Sequence, residues 1–170
     1  PTGSGKTTAL EALGRRGFET IDCDRLYDAL LERDQGLRQA LAEAGAPQLK
    51  ILAKIESLAG VQALPEFLPL VDEVVIARGD LGNAMPLWEL PRCQKQLSAA
   101  CRAAGVPFMV VTQMLDSMHT RAVPTRAEVN DIYNAVLDGA SSLMLTGETA
   151  AGQYPVQAMK FLVRTANTAL

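Results

Sequence analysis

The chain has 170 residues, of which 48% are hydrophobic, and a formal net charge of −3. It therefore has room for one domain of ordinary size, or for one domain and a fragment. A mildly acidic chain excludes nucleic acid as the main partner, because binding the phosphate backbone needs a basic surface. No apolar run approaches the ~20 residues that span a bilayer, and the three cysteines lack the paired spacing of a zinc site. We expect a cytoplasmic protein with reduced thiols, no secretory leader and no membrane partner.

The chain opens on a glycine-rich pattern that is typical of a phosphate-binding P-loop. In such a loop the backbone N–H groups cradle phosphate, Lys6 reaches the outer phosphates and Thr7 ligates Mg²⁺. The alternative is a glycine-rich turn that happens to precede a helix. The helical pattern over 9–13 favours the P-loop, because the motif requires a helix at this point. The candidate nucleotide-binding residues are Gly3, Ser4, Gly5, Lys6 and Thr7.

A short strand over 18–22 is predicted next, followed by Asp24 as the N-cap of a helix over 25–32. The P-loop together with the segment 21–27 resembles the opening of dephospho-coenzyme A kinase, over about the first 35 to 43 residues. The resemblance implies an acceptor-site aspartate, either Asp22 or Asp24. The strand that leads into the family's P-loop, the lid and the adenine-binding parts have no counterpart here.

Four apolar runs follow, and each ends in a polar or charged cluster. Near-continuous apolar runs suit strands that are covered on both faces, as parallel strands are. Helical patterns lie between them, which predicts a βα repeat of the α/β class. In such folds ligands gather at the carboxyl ends of the strands, where these polar groups lie. The runs are 49–56, 73–80, 108–113 and 142–148.

The first two strand ends carry residues suited to holding a phosphate and a divalent metal. Lys54 and Glu56 are two positions apart, so on a strand they project to the same side. Asp80 follows a glycine, where backbone can approach a ligand closely. Two carboxylates are a typical number for Mg²⁺, which takes its other ligands from water and substrate. The N–H groups of Gly79 and Asp80 would also suit an anion.

The other two strand ends complete this row of polar groups. Thr112 supplies a hydroxyl, and the segment 146–148 (Thr-Gly-Glu) closes the row. The alternative interpretation is a set of solvated charges at loop starts, each satisfied locally. The recurrence of polar groups at four consecutive strand ends favours an active-site edge.

The later helices carry clear start and stop signals. Pro91 predicts a helix start, and Gly105 a stop after Ala104. Thr125 and Glu128 predict a capping box. A last helix begins at Pro155, and we expect its apolar stripe to face the core. Trp88 and its apolar neighbours are expected to pack inside as well. The stripe consists of Val156, Met159, Leu162 and Val163, and the neighbours of Trp88 are Met85 and Leu87.

From about Gly45 onward the chain closely resembles the second half of the pyruvate kinase barrel. The resemblance implies an α/β fold made of the last four βα units of a (βα)8 TIM barrel. Ala59 and Thr146 depart from the family's usual residues, but neither belongs to the chemical groups. The matching stretches are 50–60 (KILAKIESLAG), 77–82 (ARGDLG), 112–118 (TQMLDSM), 124–134 (PTRAEVNDIYN) and 145–155 (LTGETAAGQYP).

This resemblance implies the glycolytic reaction, which is Mg²⁺-dependent phosphoryl transfer from phosphoenolpyruvate to ADP, giving pyruvate and ATP. It implies that Lys54 stabilises the phosphoryl group, that Glu56 and Asp80 bind Mg²⁺, and that Thr112 lies beside the substrate and takes part in proton delivery. K⁺ is also expected from the family, although its ligands are absent here. The backbone expected to hold the enolpyruvate carboxylate belongs to Ala77, Arg78, Gly79 and Asp80.

The two resemblances divide the chain into a truncated P-loop kinase-like segment, 1–40, and a pyruvate kinase half-barrel, 41–170. They meet in a helical pattern over 36–44, which suggests a chimera or an assembled fragment. An open half-barrel exposes strand edges and an apolar surface, so we expect self-association. The alternatives to an incomplete pyruvate kinase are a P-loop ATP-binding fragment and a non-catalytic, self-associating half-barrel.

Overall fold

The computed structural model describes residue 39 and residues 42–170. The predicted P-loop, the strand over 18–22, the helix over 25–32 with its Asp24 cap, Asp22 and Cys23 all lie outside these residues. Contacts along the chain divide it into two compact units, Pro1–Leu49 and Lys50–Leu170. In the described part of the first unit, Gln39 donates a hydrogen bond to Glu43. The β-sheet and the helices that connect its strands belong to the second unit.

The second unit contains a parallel sheet, as the apolar runs predict. Its four described strands pair in chain order, β1-β2-β3-β4. Lys54 lies opposite Val75, and Ala77 lies opposite Val111, so the strands run in step and their carboxyl ends meet at one edge. The strands are β1 (Leu52–Ile55), β2 (Glu73–Ala77), β3 (Phe108–Val111) and β4 (Ser142–Met144).

Helices connect these strands, as parallel pairing requires. Short 3₁₀ turns lie at Leu68–Leu70, Leu87–Glu89 and Asp116–His119. The α-helices are α1 (Leu58–Phe67), α2 (Arg78–Ala84), α3 (Leu90–Ala104), α4 (Arg126–Leu137), α5 (Gly147–Ala150) and α6 (Pro155–Ala169).

The predicted helix boundaries are confirmed, and each has a local cause. Pro91 lies in the first turn of α3, and Gly105 ends that helix with a φ of +70°, a conformation that favours glycine. At the start of α4 the hydroxyl of Thr125 accepts the N–H of Glu128, and the Glu128 carboxylate accepts the N–H of Thr125. This capping box satisfies two backbone donors that a helix start leaves free.

Only one face of the sheet is fully covered by the described residues. Ile55, Ile76 and Phe108 alternate along their strands toward the helices and are buried in the core. On the opposite face Leu52 and Met144, on the two outer strands, are 46% and 42% exposed. The expectation of strands covered on both faces is therefore wrong for the two outer strands, whereas Ala77 and Val111 on the inner strands, in register with Met144, are buried. The outer strands are thus apolar on this second face, although no described residue covers Leu52 or Met144 fully.

Two further expectations about packing are also wrong. In α6, which packs on α4 and α5, Leu162 is buried but Val156, Met159 and Val163 are 60%, 45% and 48% exposed. The buried residues of α6 include Ala158 and Thr165 instead. Residues on both faces of this helix therefore have the sequence spacing of a core-facing stripe. Trp88 and Leu87, in the 3₁₀ turn between α2 and α3, are 80% and 67% exposed, whereas Met85 is partly buried and packs against the core as expected.

Among the described residues, no helix has the length and apolarity needed to cross a membrane. Cys93 and Cys101 are free thiols buried in α3. Burial raises the pKa of Cys101 to about 11, so this thiol stays protonated and unreactive near neutral pH.

Candidate active site

One cation lies between two carboxylates at the carboxyl ends of β1 and β2. Lys54 lies near the end of β1, and Glu56 follows that strand directly. Asp80 lies in the first turn of α2, which begins immediately after β2. The Lys54 ammonium forms an ion pair with the Glu56 carboxylate, and its Nζ lies 3.3 Å from Asp80 Oδ2. All three side chains are about half exposed and open to a ligand.

The charge of this group leaves room for a further cation. Burial lowers the pKa of Lys54, but its hydrogen bonds and charge interactions with Glu56 and Asp80 outweigh that effect and raise the pKa. Lys54 is therefore protonated, and the two carboxylates leave the trio with an excess negative charge. Carboxylate oxygens are ligands that Mg²⁺ prefers, and two of them are a common protein contribution.

The donor set fits a magnesium site that is completed by water and substrate. Within residues 39 and 42–170, no cluster of three or more His, Cys, Asp or Glu side chains is placed to hold a metal ion. A divalent ion bound at Glu56 and Asp80 would take further ligands from water and other oxygen donors, as Mg²⁺ commonly does.

The third strand brings its threonine to the same edge. The Gly79 N–H donates to Thr112 Oγ1 at 2.7 Å, and the Thr112 hydroxyl donates to the Val111 carbonyl at 2.6 Å. Gly79, which was expected to offer its N–H to an anion, therefore already has an acceptor. Ala77 is fully buried, and Arg78 is 7% exposed. The side chain of Arg78 reaches the backbone after β3, not the solvent.

The fourth strand end has a different role from the one its position predicts. Glu148 was expected to close the row of ligand-facing groups, but it is 1% exposed. Its carboxylate accepts the N–H groups of Leu115 at 3.2 Å and Thr146 at 2.8 Å. Glu148 therefore ties the loop after β3 to the loop after β4. It braces the edge and does not face a ligand.

The supporting roles of two residues were not predicted from the sequence. Asp131, on α4, pairs with the buried guanidinium of Arg78 at 2.5 Å. Glu128 was assigned only to the capping box, yet its carboxylate also accepts the N–H and hydroxyl of Ser117 at 2.7 and 2.6 Å. No local pattern marks Asp131, because its partner lies 53 positions away. The capping box was a sufficient local explanation of Glu128.

Comparison with known proteins identifies relatives of this chain. The family model of the pyruvate kinase barrel domain matches residues 32–159. A pyruvate kinase from Kluyveromyces lactis is 48% identical over 130 residues, which cover 76% of this chain and 26% of that protein. A pyruvate kinase from Geobacillus stearothermophilus is 48% identical over 124 residues, covering 73% of this chain and 21% of that protein.

A solved structure agrees with these relatives. The crystal structure of a pyruvate kinase from Cryptosporidium parvum matches with a TM-score of 0.69 and 42% identity, over 71% of this chain and 24% of that one. The chain thus spans about a quarter of the length of the relatives it matches.

The buried carboxylate of Glu148 is expected to make the free energy of unfolding decrease at acid pH. Burial alone would raise its pKa, but hydrogen bonds from backbone N–H groups and from Thr146 bring the pKa below its usual 4.5. The folded state therefore binds fewer protons than the unfolded state, so this contribution is present above pH 4.5 and is lost as the pH falls through the lowered pKa. We expect Glu148→Gln to lower the free energy of unfolding by about 2–3 kcal/mol at pH 7, and by less at pH 3.

Urea denaturation at both pH values measures this difference. Glu66→Gln, at an exposed position on α1, is the matched control and is expected to change stability little. Equal losses for Glu148→Gln at pH 7 and pH 3 would contradict the assignment.

Proposed function

The chain belongs to the pyruvate kinase barrel-domain family, and on that basis we propose that it carries part of a phosphotransferase site. The proposed reaction is Mg²⁺-dependent phosphoryl transfer from phosphoenolpyruvate to ADP, which gives pyruvate and ATP. The observation that supports it best is the placement of Lys54 between Glu56 and Asp80 at the carboxyl ends of neighbouring strands. Phosphoryl transfer depends on positioning and charge neutralisation, which this arrangement supplies.

In this proposal Lys54 stabilises the negative charge of the phosphoryl group in transfer. Glu56 and Asp80 hold Mg²⁺, which neutralises phosphate charge when it is bound. Their half-exposed side chains allow the ammonium to turn from the carboxylates to a phosphate without crossing buried structure. The two carboxylates raise the pKa of Lys54, so its side chain is already a cation before it turns to the phosphate.

The backbone of Ala77, Arg78, Gly79 and Asp80 is proposed to hold the enolpyruvate carboxylate. One of its donors, the Gly79 N–H, is bonded to the Thr112 hydroxyl. A bound carboxylate would replace that hydroxyl as acceptor, since each N–H donates one strong bond. The released Thr112 hydroxyl would then be free to turn from the Val111 carbonyl and take part in delivering a proton to carbon.

The site is incomplete within this chain. The family's K⁺ is expected to need ligands that lie outside the matching segment, and a full (βα)8 barrel has eight strands in about 250 residues. We therefore propose that residues 41–170 form the last four βα units of such a barrel. The preceding segment 1–40, with nucleotide-binding residues Gly3–Thr7 in the manner of dephospho-coenzyme A kinase, stays a prediction, as does the suggestion of a chimera.

Metal binding and turnover test the proposal separately. We expect Mn²⁺, followed by electron paramagnetic resonance, to bind the wild-type chain, to be lost in Asp80→Asn and to persist in Glu66→Gln. Any ATP formation from phosphoenolpyruvate and ADP that the incomplete site supports is expected to fall about 100-fold in Lys54→Ala, because a preorganised charge is removed from the transferring group.

Mn²⁺ binding that survives Asp80→Asn would contradict the metal site. Absence of ATP formation at high protein concentration would contradict a catalytic role for this chain alone and favour the non-catalytic half-barrel. Nucleotide binding that is lost in Lys6→Ala but not in Asp80→Asn would instead favour the P-loop alternative.

We also propose that two copies of the chain associate through the outer strands. The exposed apolar residues of these flanks are Leu52 and Leu58 on one side and Met144, Met159 and Val163 on the other. Because all described strands are parallel, a two-fold axis along them would place β4 of each copy beside β1 of the other. The two β1–β4 contacts of such a dimer would cover both flanks and produce eight parallel strands, the number in a complete barrel.

Sedimentation velocity over a concentration series tests this association. We expect a dimer of the wild-type chain, and a monomer of Met144→Lys, because a charge on the outer strand opposes edge pairing. Val123→Lys, at a 61% exposed position in the loop before α4, is the control that should leave the dimer intact. A wild-type monomer at every concentration, or a Met144→Lys dimer, would refute the proposed contact.

A further inference from the structure

The turn after β3 adopts a backbone conformation that needs external support. Thr112 and Gln113 have φ values of +70° and +53°, and among the described residues they are the non-glycine residues with positive φ. This left-handed region is unfavourable for L-residues, above all for a β-branched threonine. Conformations of this kind persist only where the surrounding structure holds them, and they cluster at functional sites.

The side chain of Arg78 provides that support. Its Nη2 donates to the carbonyl of Thr112 at 2.9 Å and to that of Gln113 at 3.3 Å, and its Nε donates to the Thr112 carbonyl at 3.3 Å. The same nitrogen, Nη2, lies 2.9 Å from the sulfur of Met114. One buried guanidinium therefore contacts three consecutive residues of the turn.

Asp131 fixes the position of that guanidinium. Arg78 is 7% exposed, and a charge removed from water at this depth is costly unless it is paired. Its Nη1 is paired with Asp131 Oδ2, on α4, at 2.5 Å. With Nη1 on the carboxylate, the planar geometry of the group directs Nε and Nη2 at the backbone of the turn.

This left-handed turn also fixes the position of Thr112 beside the residues that precede Asp80, one of the two proposed Mg²⁺ ligands. Its left-handed conformation places Thr112 Oγ1 2.7 Å from the N–H of Gly79, the residue before Asp80. A displacement of Thr112 would therefore change both the hydroxyl and the donor that are proposed to meet the substrate.

We propose that Asp131 is a positioning residue for this site. Through Arg78 it holds the left-handed turn over Thr112 and Gln113, and so places the Thr112 hydroxyl against the Gly79 N–H. Asp131 does not touch the reacting groups. The functional importance of this placement rests on the proposed phosphotransfer role of Thr112 and Gly79, whereas the structural coupling itself does not.

The coupling is tested by nuclear magnetic resonance of the whole chain. In Asp131→Ala we expect the Cα and Cβ chemical shifts of Thr112 and Gln113 to move away from left-handed values, and the Gly79 amide to shift as its hydrogen bond weakens. Asp131→Asn keeps an acceptor oxygen without the charge, so smaller shifts in the same direction are expected. This second variant keeps the test decisive if Asp131→Ala fails to fold.

The control breaks a different ion pair of the same helix region. Lys95 pairs with Asp138, just after α4, at 2.5 Å. Lys95→Met is expected to lower stability while leaving the signals of Thr112, Gln113 and Gly79 unchanged. If Asp131→Asn also lowers stability without moving those signals, the Arg78–Asp131 pair has only a structural role and the proposal is refuted.

A Mg²⁺ titration separates this inference from the proposed function. Asp131→Asn is expected to retain the Mg²⁺-induced shift at Asp80 that the wild-type chain shows, since Glu56 and Asp80 remain. A wild-type chain without that shift would count against the metal site. The response of Thr112 and Gly79 to Asp131→Asn would still decide the positioning role.

Discussion

The parallel, in-step pairing of the four described strands is the constraint on which the candidate site depends. Lys54 pairs in register with Val75, Ala77 with Val111, and Val111 with Met144. Residues that follow these positions must then emerge at the same edge of the sheet. Lys54, Asp80 and Thr112 come together for this reason, although up to 58 positions separate them along the chain. A slip of one residue in any pairing would turn the functional side chain to the other face.

Sequence reasoning succeeded where one local rule decides the structure. The strands, the stop at Gly105 and the Thr125–Glu128 box each follow from a short pattern, and the structure contains them. Sequence reasoning failed where two local patterns predicted different buried faces equally well. In α6 the positions 156, 159 and 163 have the spacing of a core face, but so do the positions 158, 162 and 165 that are buried. Which of the two sets is buried depends on the helices that pack against α6.

The candidate site likewise has features that the sequence predicts and features that it does not. The proximity of Lys54, Glu56 and Asp80 was predictable from strand alternation and from the shared edge of parallel strands. The burial of Glu148 was not, because its carboxylate is satisfied by backbone N–H groups from two loops. The pairing of Arg78 with Asp131 was also unpredictable, since it depends on the tertiary packing that brings α4 to the start of α2. Tertiary partners of a charged residue leave no periodic signal in the sequence.

The edge therefore combines a rigid part and an adjustable part. The loop over 112–119 is held by three side chains from outside it: Arg78 binds its first carbonyls, Glu148 binds the N–H of Leu115, and Glu128 binds Ser117. These anchors are charge-assisted hydrogen bonds to backbone, among the stronger kinds available. Lys54, Glu56 and Asp80 are instead half exposed and contact mainly one another.

This division suits the chemistry proposed for the edge. A hydroxyl that must meet one carbon atom gains from a fixed backbone, because small displacements of a reacting group reduce rates strongly. A cation and two carboxylates that receive a hydrated metal ion and a phosphate must instead exchange their mutual contacts for new ones. The anchored loop and the open ion trio therefore answer different demands of a single transfer reaction.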